Sequence, residues 1–199
     1  YDLTSLQVDS NKKFGYSAED TLKTIQNLYE KKLVSYPRVD TTYLSEDLHK
    51  KVPGILQNLK EYNHLTQSVL DKPIKKSKSI FNNKKITDHH AIIPTGVPAQ
   101  GLQGSELQIY DLICKRFIAV FYPPCIVSNT TVVGQVEKLE FKTSGKQIID
   151  PGWRIVYAGN DTRTKKEDDE VLPLFEKGEE GPHEPFFHEG KTSPPKHFT

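Results

Sequence analysis

The sequence has little cysteine and no long apolar run. Only two of its 199 residues are cysteine, Cys114 and Cys125, and they have neither CxxC spacing nor a nearby pair of histidines. This pattern excludes the common zinc modules and a disulfide framework, and no metal site is predicted. No apolar stretch reaches the roughly 20 residues that a transmembrane helix needs, so no membrane partner is expected.

Methionine is absent altogether, and the chain opens with YDLT and closes with KTSPPKHFT. We therefore expect an internal piece of a longer protein. No signal peptide is visible, which makes a cytoplasmic parent the default expectation.

Neither sign of charge dominates, because the formal net charge is +1. The distribution is uneven, however: residues 1–125 carry a net charge of +4 and residues 126–199 a net charge of −3. The first part is the better candidate to face a nucleic acid. The one dense acidic run, at residues 167–170, follows two lysines rather than an apolar strand, and we interpret it as a solvated loop.

The most informative segment is LVSYPRVDTTYL, at residues 33–44. A residue before proline is disfavoured in the helical region, so Tyr36 should be extended and should share a face with Arg38. A guanidinium beside a phenol favours the phenolate and binds phosphate through two hydrogen bonds. The pattern indicates a tyrosine that attacks a phosphodiester, whereas a merely packed tyrosine is the alternative in a chain with nine of them.

A second segment, residues 86–95, reads ITDHHAIIPT. Together the two segments resemble the type IA DNA topoisomerases, and the Asp-His-His form is most similar to bacterial topoisomerase III. The similarity extends to FGYSAEDTLKTIQNLYE, YDLICKRFIAVFYPP and KTSPPKHFT, which together with the two motifs cover nearly the whole chain.

The resemblance implies specific roles by motif match. Tyr36 would be the nucleophile that forms a 5′-phosphotyrosine in single-stranded DNA, and resealing would need no ATP. Arg38 would hold and activate the scissile phosphate, and His89 would be the active-site histidine. Magnesium would be bound by a Toprim domain of the same chain that these residues do not include, so this piece alone should be inactive.

Contacts with DNA are expected around these motifs. Six lysines lie within residues 72–85, where they could neutralise phosphates, although a lysine-rich loop without a ligand accounts for them equally well. The family often has Asp-Ser where this chain has Asp40 and Thr41, so a hydroxyl is retained. Arg116 lies off the apolar stripe of its helix and could face DNA or solvent. The residues assigned to DNA contact are Lys75, Lys76, Lys84, Lys85, Thr41, His90 and Arg116.

The predicted fold class is α+β. Residues 1–126 form a mainly helical domain that carries Tyr36, and residues 127–199 form a β-rich arch domain, truncated at its C-terminal end. Tyr1 to Gln7 would be the end of a strand from that arch. This two-part division is what the family resemblance implies, and the change from helical to alternating periodicity after Pro124 agrees with it.

Local signals place the elements. Capping signals at Ser17 and Ser105 predict helices over residues 18–32 and from residue 105 to the proline pair at 123–124. Shorter helices are predicted after Ser45, from Pro53 and around Leu65. Strands are predicted at residues 130–141, before a turn at Ser144-Gly145, at 153–157 and, more weakly, at 171–175 and 186–188.

Two other functions remain open. One is a non-catalytic module that binds single-stranded nucleic acid through lysines and exposed aromatic rings. The other is a metal-dependent tyrosine nuclease of the relaxase kind, which needs a His-hydrophobic-His pair. The adjacent histidines His89 and His90 disfavour this reading, because neighbours on a strand point to opposite faces.

Overall fold

We describe a computed structural model of the chain, covering residues 1–158, 172–182, 184 and 188–194. The acidic run at residues 167–170 lies outside the described residues, as do Val171, Phe186 and Phe187 of the two weaker strand predictions. The described remainder of those two predictions, residues 172–175 and 188, is not in strands.

Two helices open the chain: α1 (Leu3–Phe14) and α2 (Ala18–Glu30). The predicted cap at Ser17 is confirmed, since its side chain accepts a hydrogen bond from the Asp20 amide at 3.0 Å. The prediction that the first residues belong to a strand is wrong. Asp2 and Ser5 instead form a capping box that starts α1, and this reciprocal bonding satisfies amides that a helix start leaves unpaired.

Shorter helical segments follow. A 3₁₀ turn at Glu46–Lys50 precedes α3 (Val52–Asn58) and α4 (Asn63–Leu70). The predicted helix start at Pro53 is confirmed to within one residue, since Pro53 lies in the first turn of α3. A proline at that place loses no intrahelical hydrogen bond. Further 3₁₀ turns lie at Lys60–Tyr62, before α4, and at Asn83–Lys85, at the end of the lysine-rich segment.

Helix α5 (Gly104–Ala119) is the longest and lies in the core. It packs against α1, α2 and α4. The predicted cap at Ser105 is wrong, since the N-cap is Gln103 and it makes no side-chain capping bond. The helical spacing predicts a buried apolar stripe of Leu107, Tyr110, Ile113, Cys114, Phe117, Ile118 and Phe121. The five central members are buried and Phe121 is partly buried, but Leu107 is 43% exposed, whereas Ile109, outside the predicted stripe, is fully buried.

The chain then forms one antiparallel hairpin, β1 (Ile126–Val136) and β2 (Leu139–Asp150). Val136 pairs with Leu139, so the turn consists of Glu137 and Lys138. The predicted turn at Ser144-Gly145 is therefore wrong, because both residues lie within β2. Glu137 adopts a φ of +54°, the left-handed conformation that tight hairpin turns require.

A 3₁₀ helix at Gly152–Tyr157 follows β2. The predicted strand at these residues is wrong, since the segment turns back and packs against α5 with Val156 buried. The Trp153 amide donates to the Pro123 carbonyl at 2.9 Å and thereby joins the two ends of the hairpin. A mainly helical part followed by strands is thus observed, as the predicted α+β class requires.

Candidate active site around Tyr36

The tyrosine segment begins just after the end of α2. After Glu30 the chain makes a left-handed turn at Lys32, with a φ of +61°, and the Leu33 amide donates to the Leu28 carbonyl at 3.0 Å. This is a helix-ending turn of the kind that glycine usually makes. Leu33 and Val34 are then buried in the core, so the following residues are held at the surface.

The tyrosine and histidine segments pair directly with one another. Val34 and Pro94 form an isolated antiparallel bridge. The Ser35 amide donates to the Ile93 carbonyl at 2.9 Å, and the Thr95 amide donates to the Leu33 carbonyl at 3.0 Å. Two motifs more than fifty positions apart in the sequence are therefore fixed side by side.

Side chains complete this pairing. The Ser35 hydroxyl donates to the Ala91 carbonyl at 3.2 Å and accepts from the Ile93 amide at 2.9 Å. The Thr95 hydroxyl donates to the Lys32 carbonyl at 2.7 Å. The apolar run of residues 91–94 is buried beneath the pairing, so the histidine segment cannot slide without exposing core surface.

Three aromatic rings meet at this surface. The ring centroids of Tyr36 and His89 are 4.5 Å apart with an interplanar angle of 39°. Tyr29, in the last turn of α2, contacts Tyr36 edge to face at 5.6 Å and 84°. Tyr36 is partly exposed and His89 is exposed. Within the part of the chain that the structure describes, the Tyr36 hydroxyl has no hydrogen-bond partner.

Arg38 is held by a side chain of α2, the helix that also carries Tyr29. With its amide oxygen turned toward Arg38, Gln26 accepts hydrogen bonds from the guanidinium Nη2 at 2.7 Å and Nε at 3.2 Å. The amide orientation is assigned from this hydrogen bonding. Arg38 is exposed, whereas Pro37 and Val39 on either side are buried, so the remaining guanidinium donors are open to a ligand.

The residues assigned to DNA contact are only partly close to this centre. Thr41 is buried, and its hydroxyl donates to the Lys85 carbonyl at 2.7 Å. This bond fastens the 3₁₀ turn that carries Lys84 and Lys85, both exposed, to the tyrosine segment. His90 is half-buried, and its Nδ1 lies 2.8 Å from the Ala91 carbonyl.

Of three other residues assigned to DNA contact, one is exposed in the lysine-rich loop and two form ion pairs within the chain. Lys75 is exposed in the loop, whereas Lys76 forms a 2.6 Å ion pair with Glu46. Arg116 forms a 3.0 Å ion pair with Asp9, and its guanidinium lies 4.6 Å from the centroid of the Tyr1 ring. Tyr1 also donates to Asp9 at 2.7 Å, and burial raises the pKa of its phenol.

Sequence reasoning missed three residues of the site: Gln26, Tyr29 and Ser35. All three are common residue types with no motif of their own. For the first two, a signal was present in the helical spacing, because residues three apart lie on one face of α2 and that face ends beside the tyrosine segment. Ser35 precedes Tyr36 directly, but its role depends on the partner segment, which local sequence does not indicate.

Among the described residues, no three His, Cys, Asp or Glu side chains are clustered as a metal ion requires. These residues therefore do not fit the magnesium that the family resemblance implies. No helix in the described ranges is long and apolar enough to cross a membrane.

Comparison with known proteins gives the family. A family described as DNA topoisomerase matches residues 1–199. The chain is 42% identical over 187 residues to DNA topoisomerase 3 of Bacillus cereus (strain ZK / E33L), and 43% identical over 187 residues to that of Bacillus thuringiensis (strain Al Hakam). It is 39% identical over 186 residues to DNA topoisomerase 3 of Bacillus subtilis (strain 168).

Each of these alignments covers 90% of this chain but only 26% of the relative's length. The chain thus spans about a quarter of the length of the curated relatives it matches. The resemblance predicted from the two motifs is confirmed, and the chain belongs to the DNA topoisomerase family.

Proposed function

We propose that this chain is the tyrosine-bearing part of a type IA DNA topoisomerase of the topoisomerase III kind, which cuts and reseals single-stranded DNA in the bacterial cytoplasm. The observation that carries the proposal is the meeting of the two motifs. Tyr36 and His89 are distant in sequence, yet their rings lie 4.5 Å apart at a surface that a polynucleotide can reach.

The reaction is a transesterification. The Tyr36 oxygen bonds to a backbone phosphorus as the bond from that phosphorus to the 3′ oxygen breaks. The phenol proton is lost, the 3′ oxygen gains a proton, and the product is a 5′-phosphotyrosine beside a free 3′-hydroxyl. Resealing is the reverse step, and it needs no ATP because one phosphodiester replaces another.

Arg38 supplies positive charge to the transferring phosphoryl group. Gln26 occupies Nε and Nη2, which leaves other guanidinium donors for phosphate oxygens. A donor held in place before the reaction stabilises developing negative charge without reorganising, an effect worth about 3 kcal/mol in comparable sites. His89 is placed to hydrogen-bond a phosphate oxygen or the phenol, and its ring contact with Tyr36 keeps it at the reacting group.

DNA contacts extend from this centre along the lysine-rich segment. Lys75, Lys84 and Lys85 are exposed and could each neutralise a phosphate, which makes binding salt-dependent. His90 adjoins the active-site histidine and is a further candidate contact. Three other candidates, Thr41, Lys76 and Arg116, already have intramolecular partners, so each would exchange that partner to contact DNA.

The catalytic magnesium of the intact enzyme is proposed to come with a Toprim domain of the same protein. The β-hairpin is proposed to belong to an arch that moves while a second strand passes. The present 199 residues alone should therefore not relax supercoiled plasmid DNA with magnesium present. Gel electrophoresis of plasmid topoisomers tests this, and magnesium-dependent relaxation by this polypeptide would contradict it.

Changing Tyr36→Phe in the intact enzyme should abolish the covalent adduct while leaving binding of a single-stranded oligonucleotide unchanged within about twofold, because one oxygen is removed and the ring is kept. A denaturing gel measures the adduct, and mass spectrometry of the trapped wild-type complex identifies the modified residue.

Tyr16→Phe is the matched control, since Tyr16 is partly exposed like Tyr36 but its hydroxyl hydrogen-bonds to Gln108, away from the candidate site. An adduct that persists in the Tyr36→Phe enzyme would refute the assignment. Absence of any adduct from the wild-type enzyme would favour a module that only binds nucleic acid.

A further inference from the structure

We propose that Tyr29 is a positioning residue for the nucleophile: its ring restricts the Tyr36 side chain so that the hydroxyl is held ready for attack. This inference rests on the proposed function of Tyr36. It adds a residue that belongs to neither of the two motifs and lies seven positions before the nucleophile.

The side chain of Tyr36 is partly exposed and packs against the edge of the hydrophobic core. Its backbone neighbourhood is fixed, because the adjacent Ser35 is hydrogen-bonded to the histidine segment. Among the described residues, no hydrogen bond restrains its hydroxyl. Its described aromatic neighbours are His89 at 4.5 Å and Tyr29 at 5.6 Å, and both rings contact it.

Tyr29 is the more firmly held of the two aromatic neighbours of Tyr36. It lies in the last turn of α2, and the adjacent Leu28 is fully buried in the core. His89, by contrast, is exposed in a segment without regular secondary structure. The edge-to-face geometry at 84° is a favoured arrangement for two aromatic rings.

The fold itself makes little use of Tyr29. Its side chain is 43% exposed, and within the described residues its hydroxyl has no hydrogen-bond partner. A tyrosine needed mainly for stability would be buried or hydrogen-bonded through its hydroxyl, as Tyr62 is to Asp111. The described ring contact of Tyr29 is with the proposed nucleophile.

The test uses the intact enzyme and single-turnover cleavage of an end-labelled single-stranded oligonucleotide. Tyr29→Ala should slow cleavage about 3- to 10-fold, the range that an aromatic pair of this kind supplies. Oligonucleotide binding, measured by fluorescence anisotropy, should stay within about twofold of wild type, and the melting temperature should be nearly unchanged. Tyr29→Phe keeps the ring and should restore the wild-type cleavage rate.

Trp153→Ala is the matched control. Trp153 is 42% exposed and packs edge to face on Tyr157 at 5.9 Å and 84°, so it represents an equivalent pair away from Tyr36. Its removal should not alter cleavage of a short oligonucleotide.

Three outcomes would overturn the inference: wild-type cleavage by Tyr29→Ala, a loss of binding as large as the loss of cleavage, or failure of Tyr29→Phe to restore the rate. A parallel Tyr36→Phe reaction separates this inference from the proposed function. If that variant still forms an adduct, the nucleophile assignment fails; if it forms none and Tyr29→Ala is fully active, only the positioning role fails.

Discussion

Ser35 connects the two halves of the candidate site through a single hydroxyl. That oxygen accepts from the Ile93 amide and donates to the Ala91 carbonyl, so it bonds the histidine segment in both directions. The residue directly before the proposed nucleophile therefore fixes the segment that carries His89. A carbon atom in its place could make neither bond.

Ser35→Ala should lower the free energy of unfolding by about 1 to 2 kcal/mol, because a partly buried amide loses its acceptor. Urea unfolding followed by circular dichroism measures this. Ser144→Ala is a suitable control, since the Ser144 hydroxyl is exposed and its contact with Thr131 is long, at 3.3 Å. Equal stability of the Ser35→Ala and wild-type proteins would show that the hydroxyl is dispensable.

Individual residues also show how far sequence reasoning reaches. Tyr36, Arg38 and His89 could be selected because unusual residues stand at fixed spacing in short motifs. For Gln26 and Tyr29 the helical spacing indicates only a shared face of α2, and their importance depends on where the end of that helix lies in space. Thr41 was selected for its hydroxyl, but burial and the bond to Lys85 are tertiary facts that a linear pattern does not contain.

At the scale of elements, predictions succeeded where the signal was local. The Ser17 cap and the start at Pro53 depend on neighbouring residues, and both helices form as expected. The hairpin turn was misplaced because Ser-Gly is a common turn pair, whereas the observed turn uses Glu137 in a left-handed conformation. Pairing along eleven residues of each strand sets the register and outweighs the preference of two.

The base of the hairpin depends on one glycine. Gly152 has a φ of +48°, and a Cβ built there would lie 2.4 Å from the Pro124 carbonyl oxygen and 2.6 Å from that of Pro123. Both atoms belong to the backbone, so neither can move aside cheaply. This close approach lets the 3₁₀ helix after β2 return to the core.

Gly152→Ala should therefore lower the free energy of unfolding by at least about 2 kcal/mol, through the clash and the strained φ together. Chemical denaturation provides the measurement. Gly134→Ala is the control, because nothing lies within 4 Å of its added Cβ and its φ is not in the left-handed range. A Gly152→Ala protein as stable as the control would contradict the structure at this point.

At the scale of the whole molecule, the helical core contains several acidic groups that burial keeps neutral, among them Tyr62, Tyr110 and Cys114. Burial raises the pKa of the Tyr62 and Tyr110 phenols above their ordinary value of 10.0 and that of the Cys114 thiol above 9.0. In the unfolded chain these groups lose their protons at the ordinary values. Their contribution to stability is thus complete below about pH 9 and is lost as the pH rises through 9 to 10 and beyond.

Alkaline solution should therefore unfold the protein. The free energy of unfolding should decrease above pH 9 by up to about 1.4 kcal/mol per pH unit for each group that titrates. Urea midpoints measured from pH 8 to 11 test this, and Tyr110→Phe should make the decline shallower by removing one group. A stability that stays constant up to pH 11 would be inconsistent with the buried positions of these side chains.

The pairing of residues 33–35 with residues 93–95 has a mechanical consequence. A DNA end esterified to Tyr36 would travel with His89 as a single rigid body, since three backbone and side-chain bonds tie their segments together. Under the proposed mechanism, separation of the two broken ends would then require displacement elsewhere in the enzyme. Tyr36 and His89, the residues proposed to act in resealing, would therefore stay together with the esterified end while the two broken ends are apart.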